Sequence, residues 1–268
     1  MRAAARSGRS AGGGATAKIR LDQLVVERGL APSREQAQAL ILAGGILANG
    51  QKALKPGHQV AQDSTLQRLG EPPKFASRAG LKLEAALYHF AIAVTGRVAL
   101  DVGSSTGGFT DCLLQRGALR VHAVDSGTNQ MIWRLRTDAR VHLLEKTNAR
   151  HLTAAALVSG AQGTGAPALL VMDVSFISVT VLAPVLLPLL APEAEMVILV
   201  KPQFEAGRAA VGKGGIVRDE SARQAAVHKV AAALAQLGVS GIAWFPSPVL
   251  GAGGNQEYLM YGRLGERA

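Results

Sequence analysis

The sequence predicts an α/β protein: a mostly parallel sheet with helices packed between its strands, preceded by a small α+β unit. Three observations carry this prediction. Residues 97–125 read as strand, glycine turn, helix and second strand, with acids at the strand ends, Asp101 and Asp125. Three later apolar runs, 141–144, 169–172 and 196–200, repeat the strand pattern and run into polar residues. Ahead of them, residues 18–55 carry two short helical stripes and an Asn-Gly hairpin signal.

Composition narrows the partners. The chain has 268 residues, with 29 Lys and Arg against 19 Asp and Glu, and a formal charge of +10. Such an excess attracts phosphate backbones and steers their encounter, so a polyanionic partner is expected, with an anionic membrane surface as the rival. Aromatics make up only 4%, which argues against base stacking as the main mode of contact, while 48% hydrophobic residues allow a substantial core. The single cysteine, Cys112, can form no internal disulfide and suits a reducing cytoplasm. The N-terminus lacks the apolar core of a secretory signal. Residues 174–192 are uncharged and long enough for a bilayer, but Pro184, Pro188 and Pro192 interrupt them, and a helix buried against the sheet explains them better.

Taken in order, residues 1–17 hold Arg2, Arg6 and Arg9 and no acid, and predict a disordered basic arm. Leu21, Leu24 and Val25 then mark a short amphipathic helix. Ser33 opens a second as a capping box with Gln36, carrying Ala37, Leu40 and Ile41 until Gly44-Gly45 stops it. Asn49-Gly50 between short apolar runs predicts a hairpin. Residues 67–76 contain Glu71-Pro72-Pro73, which no helix crosses, and form the linker to a larger domain over 77–268. That domain opens with a helix over 78–94 whose stripe is Leu83, Ala86, Leu87 and Phe90; Lys82 lies about 100° from the stripe, at its rim.

The glycine spacing at 103–108 discriminates between cofactors. An acid such as Asp125, ending the second strand of a β-α-β unit, can accept hydrogen bonds from both ribose hydroxyls of an adenosine. A dinucleotide turn wants G-x-G-x-x-G and a P-loop wants G-K-[ST]. Gly103-Ser104-Ser105-Thr106-Gly107-Gly108 has neither, contains no base to meet phosphate, and follows Asp101. An acid-flanked turn of this kind suits S-adenosylmethionine, whose ammonium and sulfonium are cationic. A purely structural β-α turn is the alternative.

Asn148 follows the third strand, where an amide can meet an adenine edge, Asp173 ends the fourth strand, and Lys201 ends the fifth, so these groups share one rim of the sheet. Residues 202–218 have no periodicity, four glycines and three bases, and predict a functional loop, an RNA-clamping lid. Asp219 caps a long helix with Val227, Val230, Ala231 and Leu234 inward. Two closing strands, 241–245 and 257–261, flank a glycine-rich turn and read as a hairpin, which makes the last strand antiparallel.

These residues carry two resemblances. R-L-D-Q-L-V at 20–25, S-R-E-Q-A-Q-A-L-I-L-A-G-G at 33–45 and Asn49-Gly50 resemble the S4-type RNA-binding domain, here over 18–66. The resemblance implies that Arg20, Arg34, Lys52 and Lys55 face RNA phosphates. With that domain ahead of D-V-G-S-S-T-G-G-F-T, V-M-D-V-S-F-I-S, L-V-K-P-Q-F-E-A-G and G-N-Q-E-Y, the chain resembles the TlyA family over about residues 18–261. These are S4-domain ribosomal RNA 2′-O-methyltransferases, also called haemolysin-like. The resemblance implies a Rossmann-like, FtsJ-type, S-adenosylmethionine-dependent methyltransferase domain. It places a Lys-Asp-Lys-Glu tetrad on Lys82, Asp173, Lys201 and Glu257, and cofactor contacts on Gly103, Gly107, Phe109, Asp125 and Asn148. The implied partner is ribosomal RNA or a ribosomal subunit, with a cytidine ribose as the usual target, no metal and no stable membrane insertion. Where family members often carry Arg-x-Trp-Val before the tetrad lysine, this chain has Pro73-Lys74-Phe75-Ala76, which keeps a base beside an aromatic.

Chemistry gives the tetrad a purpose. A ribose 2′-hydroxyl is a poor nucleophile and must line up with the sulfonium methyl. Lys201 is expected to take or orient its proton, and burial and a neighbouring cation are the general means of preparing a lysine for that task. Asp173 and Glu257 are expected to hold the ammonium groups, since positioning itself supplies much of a rate enhancement. Two other classes of function stay open from the sequence: a haemolysin-like membrane-active protein and a non-catalytic RNA-binding ribosome assembly factor.

Overall fold

The computed structural model describes residues 17–70, 73–158 and 165–265, so the basic arm expected over 1–17 lies almost wholly outside the described residues. The chain divides into two compact units, Met1–Pro72 and Pro73–Ala268.

The first unit runs β1 (Lys18–Arg20), α1 (Leu21–Glu27), α2 (Arg34–Leu42), β2 (Ile46–Ala48), β3 (Gln51–Lys52), β4 (Gln59–Ala61) and β5 (Leu66–Arg68). The expected apolar stripes bury Leu21, Val25, Ala37, Ile41 and Ile46 together. Ser33 accepts the Gln36 N–H at 3.3 Å, as the cap predicted. Asn49 and Gly50 take φ of 50° and 78°, the left-handed pair that a two-residue hairpin turn requires. β2 pairs with β3 across that turn and with β5 on its other side, and β1 pairs with β4. Gln67 and Arg68, expected in the linker, are therefore strand residues. At the other end, Phe75 and Ala76 are core residues of the second unit. The connection is shorter than expected at both ends.

The second unit runs α3 (Ala79–His89), β6 (Val98–Val102), α4 (Gly108–Gln115), β7 (Arg120–Val124), α5 (Trp133–Arg136), β8 (Val141–Leu144), α6 (Ala154–Val158), β9 (Leu169–Met172), α7 (Val179–Leu186), β10 (Glu195–Val200), α8 (Pro202–Glu205), α9 (Glu220–Gln236), β11 (Val239–Pro246) and β12 (Tyr258–Leu264). The strands form one sheet in the order β11-β12-β10-β9-β6-β7-β8. β12 is antiparallel to both neighbours, as the closing hairpin predicted, and the other pairs are parallel. Both faces are covered. Leu100, Leu170, Met172 and Ile198 pack under α7 and α9, while Ala99, Val121, Val171 and Val197 pack under α3 and α4. Burial on both faces is why these strands read as unbroken apolar runs.

The apolar stretch at 174–192 is resolved by this packing. α7 ends at Leu186 with Pro184 inside it and is followed by a 3-10 turn at Leu187–Leu189. No helix among the described residues is long and apolar enough to cross a membrane. The loop expected over 202–218 is partly ordered, holding α8 and a 3-10 turn at Arg208–Ala210. The opening helix is shorter than 78–94, because Ala91 turns left-handed with φ 54° just after it. Cys112 is buried, and burial pushes its thiol up to about 12, so it is a core residue and no nucleophile.

The chain moves outward from β6 to β7 and β8, then returns to place β9 on the other side of β6. That reversal is where an open α/β sheet leaves a crevice at the C-terminal ends of its strands.

Candidate active site

Gly103 lines this crevice, and Gly107 shapes the same turn behind it. Gly103 has φ 87°, and a Cβ there would lie 2.3 Å from the Asp173 carbonyl oxygen; Gly107 has φ 96°, and its Cβ would lie 2.4 Å from Leu135 Cδ1. The first contact joins the exits of β6 and β9. The second seats the start of α4 on α5. Phe109, in the next turn, is a core side chain among the residues beneath α3 and α4, so it supports the turn and does not line the crevice.

A cleft of about 330 Å³ opens at this point, lined among others by Gly103, Ser105, Asp125, Gln130, Asn148, Asp173 and Phe176. Asp125 accepts N–H bonds from Ser105 and Gly127, both at 2.7 Å, which hold its carboxylate at the cleft wall. Asn148 accepts the Arg150 N–H at 3.1 Å. Below the turn lies fully buried Asp101. Its Oδ2 accepts the Thr110 hydroxyl at 2.6 Å, whereas its Oδ1 and the buried Ser104 Oγ have no hydrogen-bond partner. Burial pushes the Asp101 carboxyl up to about 7, the Thr110 bond opposes this, and the charges of Asp173 and Asp125 reinforce it. Two acids, Asp125 and Asp173, therefore line a cleft beside a turn with no base of its own, and two polar atoms buried beneath that turn have no hydrogen-bond partner among the described residues. Such a site fits a cationic, hydrogen-bonding ligand.

The tetrad predicted by motif is assembled at the neighbouring strand ends. Val200 and Tyr258 are the last residues paired between β10 and β12, so Lys201 and Glu257 are each one step beyond. Asp173 stands one step beyond β9, which pairs with β10. Lys201 Nζ lies 2.6 Å from Asp173 Oδ1 and 3.0 Å from Ser175 Oγ. Lys82, read as a rim residue able to reach a cleft, is buried on α3 with its Nζ 2.5 Å from Glu257 Oε2. The four residues form two lysine–carboxylate pairs, and each acid holds one ammonium.

Three further side chains frame the pairs and had no role assigned by sequence. Phe176 is 91% exposed at the cleft mouth, and its ring lies 5.1 Å from Phe204, which in turn lies 6.0 Å from Lys201 Nζ. Glu205 is buried just beyond Lys201. Asn255, also buried, accepts the Val217 N–H at 3.1 Å and donates to the Gly215 carbonyl at 2.9 Å, docking the glycine loop onto the segment leading into Glu257. The signal for all three was present only as motif membership, because exposure and partner are properties of the folded chain. The unusual linker is anchored too: Ala76 N–H donates to buried Asp111 at 2.7 Å, and Lys74 Nζ meets Glu84 at 2.7 Å. Among the described residues no group of three or more His, Cys, Asp or Glu side chains is arranged to hold a metal.

In the first unit the four expected RNA contacts divide in two. Arg20 makes two bonds to Asp22, at 3.0 and 2.8 Å, and Arg34 adds a third at 3.1 Å. The Arg20 guanidinium, with Gln38 and Arg34, holds the Asp22 carboxyl well below the usual carboxylate range. Lys52 and Lys55 line a separate groove with Asn49, Leu54 and His58.

Comparison with known proteins agrees with this geometry. Residues 75–264 match the FtsJ-like methyltransferase family and residues 19–66 the S4 domain. The chain is 44% identical over 245 residues to the 16S/23S rRNA (cytidine-2′-O)-methyltransferase TlyA of Mycobacterium tuberculosis, covering 91% of this chain and 89% of that protein. It is 40% identical to Hemolysin A of Brachyspira hyodysenteriae, covering 91% of this chain and 99% of the relative. A solved structure from Streptococcus thermophilus bearing a hemolysin name superposes with a TM-score of 0.71 at 40% identity, covering 92% of this chain and 89% of that one. A methyltransferase structure from Listeria monocytogenes, 15% identical, shares the fold at a TM-score of 0.51, covering 71% of this chain and 100% of that one. With a family match over most of its length and relatives this similar, the chain belongs to the FtsJ-like methyltransferase family and carries an S4 domain ahead of the methyltransferase domain.

Proposed function

We propose that this protein moves a methyl group from S-adenosylmethionine to the 2′-hydroxyl of a ribose in ribosomal RNA, with cytidine, the nucleoside in the relatives' names, as the target. The observation that carries the proposal is the pair of lysine–carboxylate contacts at adjacent strand ends, beside a cleft that fits a cationic ligand. When bound, S-adenosylmethionine supplies an electrophilic methyl on a sulfonium. Asp125 and Asn148 would meet its ribose and adenine, and the Asp125 and Asp173 carboxylates lining the cleft favour its positive charges. Lys201, held by Asp173 and Ser175, is positioned to orient the 2′-hydroxyl and, as the neutral amine left once its ammonium has lost a proton, to take the hydroxyl proton as the new O–C bond forms and the S–C bond breaks. Phe176, beside Phe204, offers a flat face on which a base extruded from the RNA stacks. Arg20, Arg34, Lys52 and Lys55 contact RNA phosphates, and the glycine loop held by Asn255 closes over the bound strand. The natural setting for this reaction is the cytoplasm.

Mass spectrometry of ribosomal RNA nucleosides tests the reading. Cells lacking the protein should lose a 2′-O-methylated nucleoside that the wild-type gene restores. Lys201→Ala should not restore it, with methyl transfer by the purified variant down by roughly 10²–10⁴-fold and RNA affinity retained. Unchanged nucleoside profiles with and without the protein would refute the assignment.

A further inference from the structure

Glu205 is a buried carboxylate to which methyl transfer gives no obvious role. Its Oε2 accepts the Ser178 hydroxyl at 2.5 Å and its Oε1 accepts the Val179 N–H at 2.7 Å. Neither donor is a cation. The nearby Lys229 ammonium bonds the Glu205 main-chain carbonyl at 3.0 Å instead. Burying a carboxylate against neutral donors is costly, and replacing such groups with apolar ones is often no loss to stability, so the arrangement calls for another explanation.

The explanation lies in what the carboxylate joins. Glu205 ends α8, which starts directly after Lys201. Ser178 and Val179 open α7, five residues beyond Asp173, and the first N–H groups of a helix favour an anion. Glu205 therefore staples the exit of β10, bearing Lys201 and Phe204, to the exit of β9, bearing Asp173, Ser175 and Phe176. Two more contacts cross the same junction: Lys201 Nζ to Ser175 Oγ, and Phe176 against Phe204. Phe176 itself takes φ 65°, a left-handed backbone that a bulky residue holds only where its surroundings impose it.

The geometry points to Glu205 as a positioning residue for methyl transfer, fixing the Lys201–Asp173 pair and the Phe176 ring in one frame. This inference rests on the proposed function and adds a residue to it. Its effect is indirect: without the staple both strand exits keep their chemistry, and the remaining contacts hold the distance between them less closely.

The test compares full-length E205A and E205Q with wild type on purified ribosomal subunits. It reads kcat per cofactor-binding molecule, counted by calorimetry with S-adenosylmethionine, together with KM for subunits and the pH profile of kcat. A shift of about 1 Å at a reacting centre is worth roughly 10²-fold, so E205A should lose about that much in kcat while cofactor affinity and KM stay near wild type. The pH dependence of kcat should move, because the spacing between Lys201 and Asp173 changes. E205Q, which keeps one acceptor oxygen, should fall between. A merely structural Glu205 lowers melting temperature and yield only. Wild-type kcat and an unmoved pH profile in E205Q overturn the inference, whether or not E205A folds. If wild type itself binds no S-adenosylmethionine and methylates nothing, the proposed function fails instead, and the two failures are told apart in one experiment.

Discussion

The two units hold charge in opposite ways. In the first, one buried carboxylate, Asp22, is ringed by cations that stay partly in water, with Arg20 38% and Arg34 47% exposed. In the second, Lys82 and Lys201 are each matched to their own acid and largely withdrawn from solvent, as in the Lys82–Glu257 pair at 10% and 3% exposure. The contrast separates two uses of charge. Excess positive charge left hydrated attracts a polyanion at long range and is weakened by salt. Charge that is paired and desolvated attracts little from afar, but its position is fixed and its interactions are strong.

The largest effect that separates the two regimes is on stability. E257Q leaves the Lys82 ammonium buried and unmatched, and should cost about 3–5 kcal/mol in urea unfolding of the second unit. D22N frees cations that already reach water, and should cost only about 1–2 kcal/mol in the first unit. Equal losses in the two variants would break the comparison. Next in size is binding. K52A with K55A should weaken RNA affinity at low salt and reduce the salt-dependence slope by about 2, nearly one per phosphate contact, while kcat at saturating RNA is unchanged. A slope equal to that of wild type would remove both lysines from the RNA surface.

The smallest effect is on pH dependence, because two buried groups oppose each other. Asp101 is raised to about 7 by burial, so the folded protein holds its proton where the unfolded chain has lost it, and its contribution is present at low pH and lost as pH rises through 7. His122 packs against His142 with Nδ1 atoms 3.0 Å apart, and burial, then the charge of His142 and Arg120, lowers it to about 4. The unfolded chain therefore takes up a proton that folded His122 refuses, and stability falls as pH drops from 6.5 toward 4. D101N should remove the first slope and H122Q the second, measured by denaturant unfolding at pH 5, 6.5 and 8. If both variants track wild type, neither group titrates as its burial requires.

Much of the fold was legible because its signals are local. The Asn49-Gly50 turn, the Ser33 and Asp219 caps and the strand-ending acids depend on residues a few positions apart. The four residues were legible as motif, and the nearness of Lys201 to Asp173 followed from their strand ends, whereas the Lys82–Glu257 pairing joins a helix to the entrance of the last strand. What escaped had a physical reason in each case. β1, β4 and β5 are three residues long and too short to show a period. Phe109 and Phe176 read alike as aromatics beside glycine or serine, yet one is buried in the core and the other projects into solvent. The burial of Lys82 could not be read from its helix alone, because its partner lies 175 residues away.

That separation sets a clock on the molecule's own making. The acid that receives Lys82 stands at the entrance to the final strand, so a ribosome building this chain completes the turn, the reversal and the opening helix long before the second lysine–carboxylate pair can close. A half-made copy holds an unfinished centre until the closing hairpin has been made. The buried pair closes last, after the fold that shapes the cleft.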